Sequence, residues 1–247
     1  MKYILSIWLV FMVATAAMGA DGTAVRYEVG GQAYEGYYIS PSAKAPLVVL
    51  IHDWDGLTDY EVKRARMLAD SGYAVFAADL FGAGVRPTEV KDRRQHTGEL
   101  YKDRNKMRAL MNGALETAAQ QGARIDNAVA AGYCFGGAAV LEWARSGAGL
   151  KGFVTFHGGL KTPEGQDYSK TAGSLLILHG SADSAITMDQ FAALANELEA
   201  AGVSHEMITY GGAQHAFTVF GGSRYQEDAD KKSWKRFQEF LAATLGY

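Results

Sequence analysis

The stretch AVAAGYCFGGAAV, Ala128–Val140, passes from small and branched apolar residues through a glycine-flanked turn into a helix-forming segment. Ala128–Ala131 reads as a buried strand, and Gly136–Trp143 as the opening of a helix packed closely through small side chains. The turn between them, Gly132-Tyr133-Cys134-Phe135-Gly136, has the G-x-S-x-G pattern of a nucleophile elbow with cysteine in the serine position. Glycine flanks the turn because a strained strand-to-helix connection brings backbones together and leaves no room for a Cβ. Cys134 is expected to project from the top of the turn. There the positive end of the helix dipole favours thiolate, and the Phe135 amide is free to donate to an oxyanion. The alternative is an ordinary buried thiol, since free cysteine is among the most buried residue types.

On either side, the pattern alternates between strands and helices. Arg26–Val29 and Tyr34–Ile39 alternate like an antiparallel hairpin around Gly30-Gly31, at one edge of a sheet. Pro46–Ile51, PLVVLI, is a continuous apolar run and so a central parallel strand. A helix over Asp59–Ala69 and a strand over Ala74–Ala78 follow, and then a long helical region over Arg93–Gln121, with a break expected near Gly98. Beyond the elbow come strands at Gly152–Phe156, Ser174–Leu178 and His205–Tyr210, and helices at Thr187–Ala201 and Glu227–Thr244. This order predicts an α/β fold with a mainly parallel sheet, helices on both faces and an N-terminal antiparallel hairpin.

In such sheets ligands bind outside the carboxyl ends of the strands. His52-Asp53, Cys134, His157, Asp183 and His215 each follow a predicted strand, so they converge on one rim. The order nucleophile, acid, histidine is that of an α/β-hydrolase triad. His215, in GGAQHAF, is the candidate base, and Asp183 the acid that would fix its tautomer, with a solvated loop histidine and a turn aspartate as the plainer readings. His179 reads as a packed histidine bonded to backbone. His157 divides evenly between pocket wall and structural hydrogen bond. Trp54 offers its amide as a second oxyanion donor, and Asp53 taken alone is a turn former. No H-x-x-x-H, H-E-x-x-H or C-x-x-C spacing occurs, so no metal is expected.

The 247 residues suit one domain with a substantial core, and 48% hydrophobic with 21% charged residues agree with that. Lys2, the apolar run Ile4–Val13 and the small residues ATAAMGA have the make-up of a secretory signal peptide over 1–20, cleaved after Gly19 or Ala20. The run is shorter than the roughly 20 residues a spanning helix needs. Residues 21–247 then form a single domain, periplasmic or secreted, with no stable membrane association. Removing 1–20 takes away one charge, Lys2, and moves the net charge from −3 to −4, which offers no basic face to nucleic acid. A monomer is the expected state. One cysteine allows no internal disulfide, so an exported chain keeps Cys134 as a free thiol, which favours a chemical role.

The chain resembles the dienelactone hydrolase family of α/β-hydrolases, from about Pro46 onward, on GYCFGG around Cys134, HGSAD ending at Asp183 and GAQHAF around His215. The resemblance implies a cofactor-free hydrolase that opens a small-molecule ester or lactone through a thioester. It also implies that a carboxylate at the position of Asp53, usually glutamate and here one methylene shorter, contacts the thiol and helps form thiolate. The arginine that holds the substrate carboxylate in the best-known relatives follows the catalytic histidine closely, whereas here Thr218, Val219 and Phe220 follow Phe217. Arg86 and Arg104, with Arg93 and Arg94, are the candidate replacements. Phe81, Tyr133, His157 and Phe217 are expected to line an apolar pocket that favours small uncharged acyl groups. A non-catalytic ligand-binding relative and a thiol redox protein are the competing functions. The first would be expected to lose the triad, and the second lacks a resolving cysteine.

Overall fold

The computed structural model describes residues 21–246, so the signal-peptide segment 1–20 lies outside the described residues. Strands β1 (Thr23–Val29) and β2 (Gln32–Ile39) form the hairpin, turning at Gly30 and Gly31 with φ of 60° and 77°, angles a side chain would resist. Next come β3 (Pro46–Ile51), α1 (Asp59–Asp70), β4 (Ala74–Ala78), α2 (Val90–Lys102), α3 (Arg104–Gln120) and β5 (Arg124–Tyr133). The chain continues through α4 (Phe135–Arg145), β6 (Gly152–Phe156), β7 (Ser174–Gly180), α5 (Met188–Ala200), β8 (His205–Tyr210) and α6 (Glu227–Leu245). One eight-stranded sheet has the order β1-β2-β4-β3-β5-β6-β7-β8. Its β1–β2 and β2–β4 pairs are antiparallel and the rest parallel.

Two apolar layers flank the sheet because successive strand residues face opposite sides. In β3, Leu47, Val49 and Ile51 pack with residues of α2 to α5, while Val48 and Leu50 pack with α1 and α6. A strand covered on both faces must be apolar at every position, which is why PLVVLI shows no alternation. Among the described residues no helix is long and apolar enough to cross a membrane.

The break in the long helical region falls at Asp103, not near Gly98. Gly98 sits inside α2, whereas the Asp103 side chain accepts the Lys106 amide at 2.9 Å and so caps a new helix, α3. A side chain able to satisfy a helix-start amide set the boundary, and glycine flexibility did not.

Candidate active site

The elbow is built by close contact. A Cβ on Gly132 would lie 2.3 Å from the Gly136 carbonyl carbon, and one on Gly136 would lie 2.4 Å from the Ile51 carbonyl oxygen at the end of β3. Cys134 is held at φ 49°, ψ −110°, and its amide donates to the Phe156 carbonyl at 3.0 Å. The strain raises the thiol above the sheet end.

His215 Nε2 stands 3.0 Å from Cys134 Sγ, and His215 Nδ1 stands 2.7 Å from Asp183 Oδ2. Burial alone would raise the Asp183 carboxyl. Bonds from His215 and from the amides of Ile186 and Ala185 outweigh that and hold it below the ordinary carboxylate range. An ionised Asp183 can only accept, so Nδ1–H donates to it and Nε2 presents a lone pair to the thiol. Asp183 Oδ1 accepts the amides of Ala185 and Ile186, each at 2.9 Å, so one carboxylate serves both as turn former and as partner of the histidine.

The helix dipole does not make the resting group a thiolate. Burial first, and then the Asp53 charge, push the Cys134 thiol up to about 12, against a smaller lowering by the Phe135 amide. Asp53 is itself buried, and burial together with Asp55 and Glu61 raises its carboxyl well above the usual range. Its Oδ1 accepts the Asp55 amide at 3.1 Å, and among the described residues no hydrogen bond joins it to Sγ. Asp53 is therefore near enough to act on the thiol by charge but makes no hydrogen bond to it. The loop that carries Asp53 and Trp54 is pinned by Glu61, which accepts the Thr58 amide at 2.8 Å and completes the capping box of α1. Arg93 covers the Trp54 ring, its guanidinium carbon 5.2 Å from the centroid.

Several expected pocket residues are core residues. Tyr133, His157 and Phe217 have no exposed surface, and Phe81 is 6% exposed. The residues on either side of a strand-end nucleophile point into the two core layers. Tyr133 stacks on Phe156 at 4.7 Å on one side, and Phe135 packs with Phe81 at 5.5 Å on the other. Phe217 packs beneath the rim against Tyr210, and His157 bonds Thr218 Oγ1 through Nε2 at 2.8 Å, so His157 takes the structural alternative. His179 is buried and stacked on Phe191, with the Ile186 backbone beside its ring, in keeping with a packed histidine.

The cavity beside the elbow is instead walled by Tyr101, Arg104, Ala138, Arg145, Ile186 and Gln190, among others, with a volume of about 390 Å³. A larger hollow of about 520 Å³ lies between residues 162–169 and α5, but none of the converging residues reaches it. Tyr101 joins the smaller cavity to the nucleophile, its ring edge-on to Phe135 at 5.5 Å. Of the arginine candidates, Arg86 folds back onto the Val85 carbonyl and Asp79, Arg93 covers Trp54, and Arg104 lines the cavity. Arg104 bonds Glu142 at 2.9 Å, and this buried carboxylate also takes Arg108 and Arg145. The wall is thus mixed and partly cationic, with Tyr101 its aromatic member. Sequence reading missed Tyr101, whose signal was a lone aromatic in the polar run of α2. Among the described residues no group of three or more His, Cys, Asp or Glu could hold a metal ion.

Comparisons with known proteins identify the family and the fold. The model of the dienelactone hydrolase family matches residues 34–245. A candidate carboxymethylenebutenolidase of Salmonella typhimurium is 24% identical over 219 residues, covering 83% of this chain and 81% of its own. A dienelactone hydrolase-like promiscuous phosphotriesterase from metagenomic libraries superposes with a TM-score of 0.85 at 31% identity, covering 92% of this chain and 99% of that one. The acylaminoacyl peptidase of Pyrococcus horikoshii, at 17% identity and a TM-score of 0.72, shares the fold over 92% of this chain and 42% of its own. With a family match spanning the sheet from β2 to α6, the chain belongs to the dienelactone hydrolase family and is an ester or lactone hydrolase of α/β fold.

Proposed function

We propose that this protein hydrolyses small carboxylic esters or lactones through a thioester on Cys134. The observation that carries the reading is the continuous chain from Sγ to His215 Nε2 at 3.0 Å and from Nδ1 to Asp183 at 2.7 Å. Because the resting thiol is neutral, proton transfer accompanies attack. Sγ bonds to the acyl carbon as its proton passes to Nε2, and Asp183 stabilises the imidazolium. The oxyanion is held by the amides of Phe135 and Trp54. Collapse expels the alkoxide, which takes the proton from His215. Water then attacks the thioester, His215 accepts its proton, and the acid leaves as the thiol re-forms.

The closeness of the β3 end to Gly136 supports Trp54 as a donor, because it brings that loop against the elbow. Tyr101 and Arg104 are the substrate contacts this reading favours. The test is intact mass during turnover of an ester and lactone panel. One acyl adduct, mapped to Cys134 and absent from Cys134→Ala, is expected. Turnover with no adduct at Cys134 under rapid quench, and undiminished in Cys134→Ala, defeats the reading. Export belongs to the same proposal, and rests on the make-up of residues 1–20. An N-terminus at residue 20 or 21 in protein recovered outside the cytoplasm is the expected result.

A further inference from the structure

His157 directly follows β6 at φ 41°, a left-handed conformation that a side chain other than glycine seldom takes. It has no exposed surface, and the polar contacts at this point in the chain lead to the elbow, to β7 and to the loop of His215. The carbonyl of Phe156, one residue earlier, accepts the Cys134 amide at 3.0 Å. The His157 amide donates at 2.8 Å to the Leu178 carbonyl on β7, the strand that leads to Asp183. The ring bonds Thr218, three residues beyond His215, and stands edge-on to the His215 ring with centroids 5.3 Å apart.

Thr218 is tied from its other side as well. Its hydroxyl meets Tyr60 Oη at 2.7 Å, and its carbonyl accepts Arg64 Nη2 at 2.8 Å, both partners coming from α1. Arg64 Nε donates to Tyr60 Oη at 3.3 Å, and a chain in which the phenol proton goes to Thr218 and the Thr218 proton to His157 Nε2 satisfies all three groups. That direction requires a neutral His157, and burial, followed by His215, pushes its pKa well below the ordinary value. The other charged groups here are Asp183, across the His215 ring, and Arg64, which Asp230 pairs. Ala216, next to His215, is at φ 64°, so the base sits on a strained link whose far end Thr218 anchors.

We propose that His157 and Thr218 are positioning residues for the base, setting the spacing between the loop of His215 and the strand ends that carry Cys134 and Asp183. The proposal rests on the triad reading above. Thr218→Val keeps the shape of the side chain and removes its hydroxyl, and Thr218→Ser keeps the hydroxyl. The purified protein is assayed with p-nitrophenyl butyrate across the pH range. Thr218→Val is expected to lower kcat about 10- to 100-fold with KM changed by less than about twofold, and to shift the acid limb of kcat/KM. Thr218→Ser is expected to recover kcat to within about threefold.

Wild-type kcat and pH profile in Thr218→Val overturn the proposal, even if the variant melts earlier. Should that variant not fold, Tyr60→Phe, which removes the hydroxyl bonded to Thr218 from the other side, decides by the same readouts. Cys134→Ala is run beside them. If it is inactive while Thr218→Val is unaffected, only the positioning role fails, and if it is active, the triad reading fails.

Discussion

The Nδ1 of His215 lies 2.7 Å from Asp183 Oδ2, while the other oxygen of that carboxylate accepts two backbone amides. Asparagine at 183 can keep an oxygen toward the amides but turns an N–H donor toward the ring, forcing the tautomer that carries its proton on Nε2. Asp183→Asn is therefore expected to fold normally and lose about 1,000-fold or more in kcat. Paired melting curves and turnover check it, and a loss under tenfold refutes it.

His215→Ala is expected to be as inactive as Cys134→Ala, because the two act as a unit. His179→Ala keeps its activity once folded, since His179 stacks on Phe191 and bonds to neither Cys134 nor Asp183. The reverse pattern would assign the base to His179.

Thiol alkylation reports on Asp53. Burial and the charges of Asp55 and Glu61 raise the Asp53 carboxyl, so it is neutral at low pH and becomes charged only in the alkaline range, where its charge raises the thiol further. Wild type and Asp53→Asn should react with iodoacetamide alike below that range and diverge above it, the variant reacting faster. Coincident profiles at all pH values would remove Asp53 from the thiol's surroundings.

Glu142 holds Arg104, Arg108 and Arg145 together beneath the cavity. Burial would raise its carboxyl, but bonds from Arg145 and Arg108 prevail and depress it below the ordinary value. A depressed folded value contributes stability above the unfolded pKa of the carboxyl, and that contribution is lost as pH falls through the folded value. Glu142→Gln is expected to cost about 2–3 kcal/mol at neutral pH, discounted for the partial exposure of two arginines, with the gap from wild type narrowing in acid. Denaturant midpoints across pH measure both.

Arg104 is 26% exposed at the cavity wall. Arg104→Gln is expected to lower kcat/KM for carboxylate-bearing esters about tenfold more than for neutral ones, the factor about 1.4 kcal/mol would give. Equal losses on both classes would mean that Arg104 only braces Glu142.

Most of the fold was legible because the buried strands are unbroken apolar runs. Pro46–Ile51, Ala74–Ala78 and Gly152–Phe156 form at the expected residues, and so does the half-buried edge strand His205–Tyr210, which is not an apolar run. The meeting of Cys134, Asp183 and His215 was legible too, since strand ends of a parallel sheet share one rim. Side-chain direction was not. A loop position does not reveal that Tyr133, His157 and Phe217 turn inward, and the Glu142 cluster joins residues more than thirty positions apart, which no local pattern encodes.

The spacing of the chain between the reacting groups bears on how the protein comes together. Cys134 and His215 are 81 residues apart, with α4, β6, β7, α5 and β8 between them, and the last 32 of those residues separate His215 from its carboxylate. Contacts of such long range form late, after the intervening parallel strands have paired. During refolding, esterase activity should therefore recover more slowly than helical ellipticity, which makes turnover a clock for the last closure of the sheet.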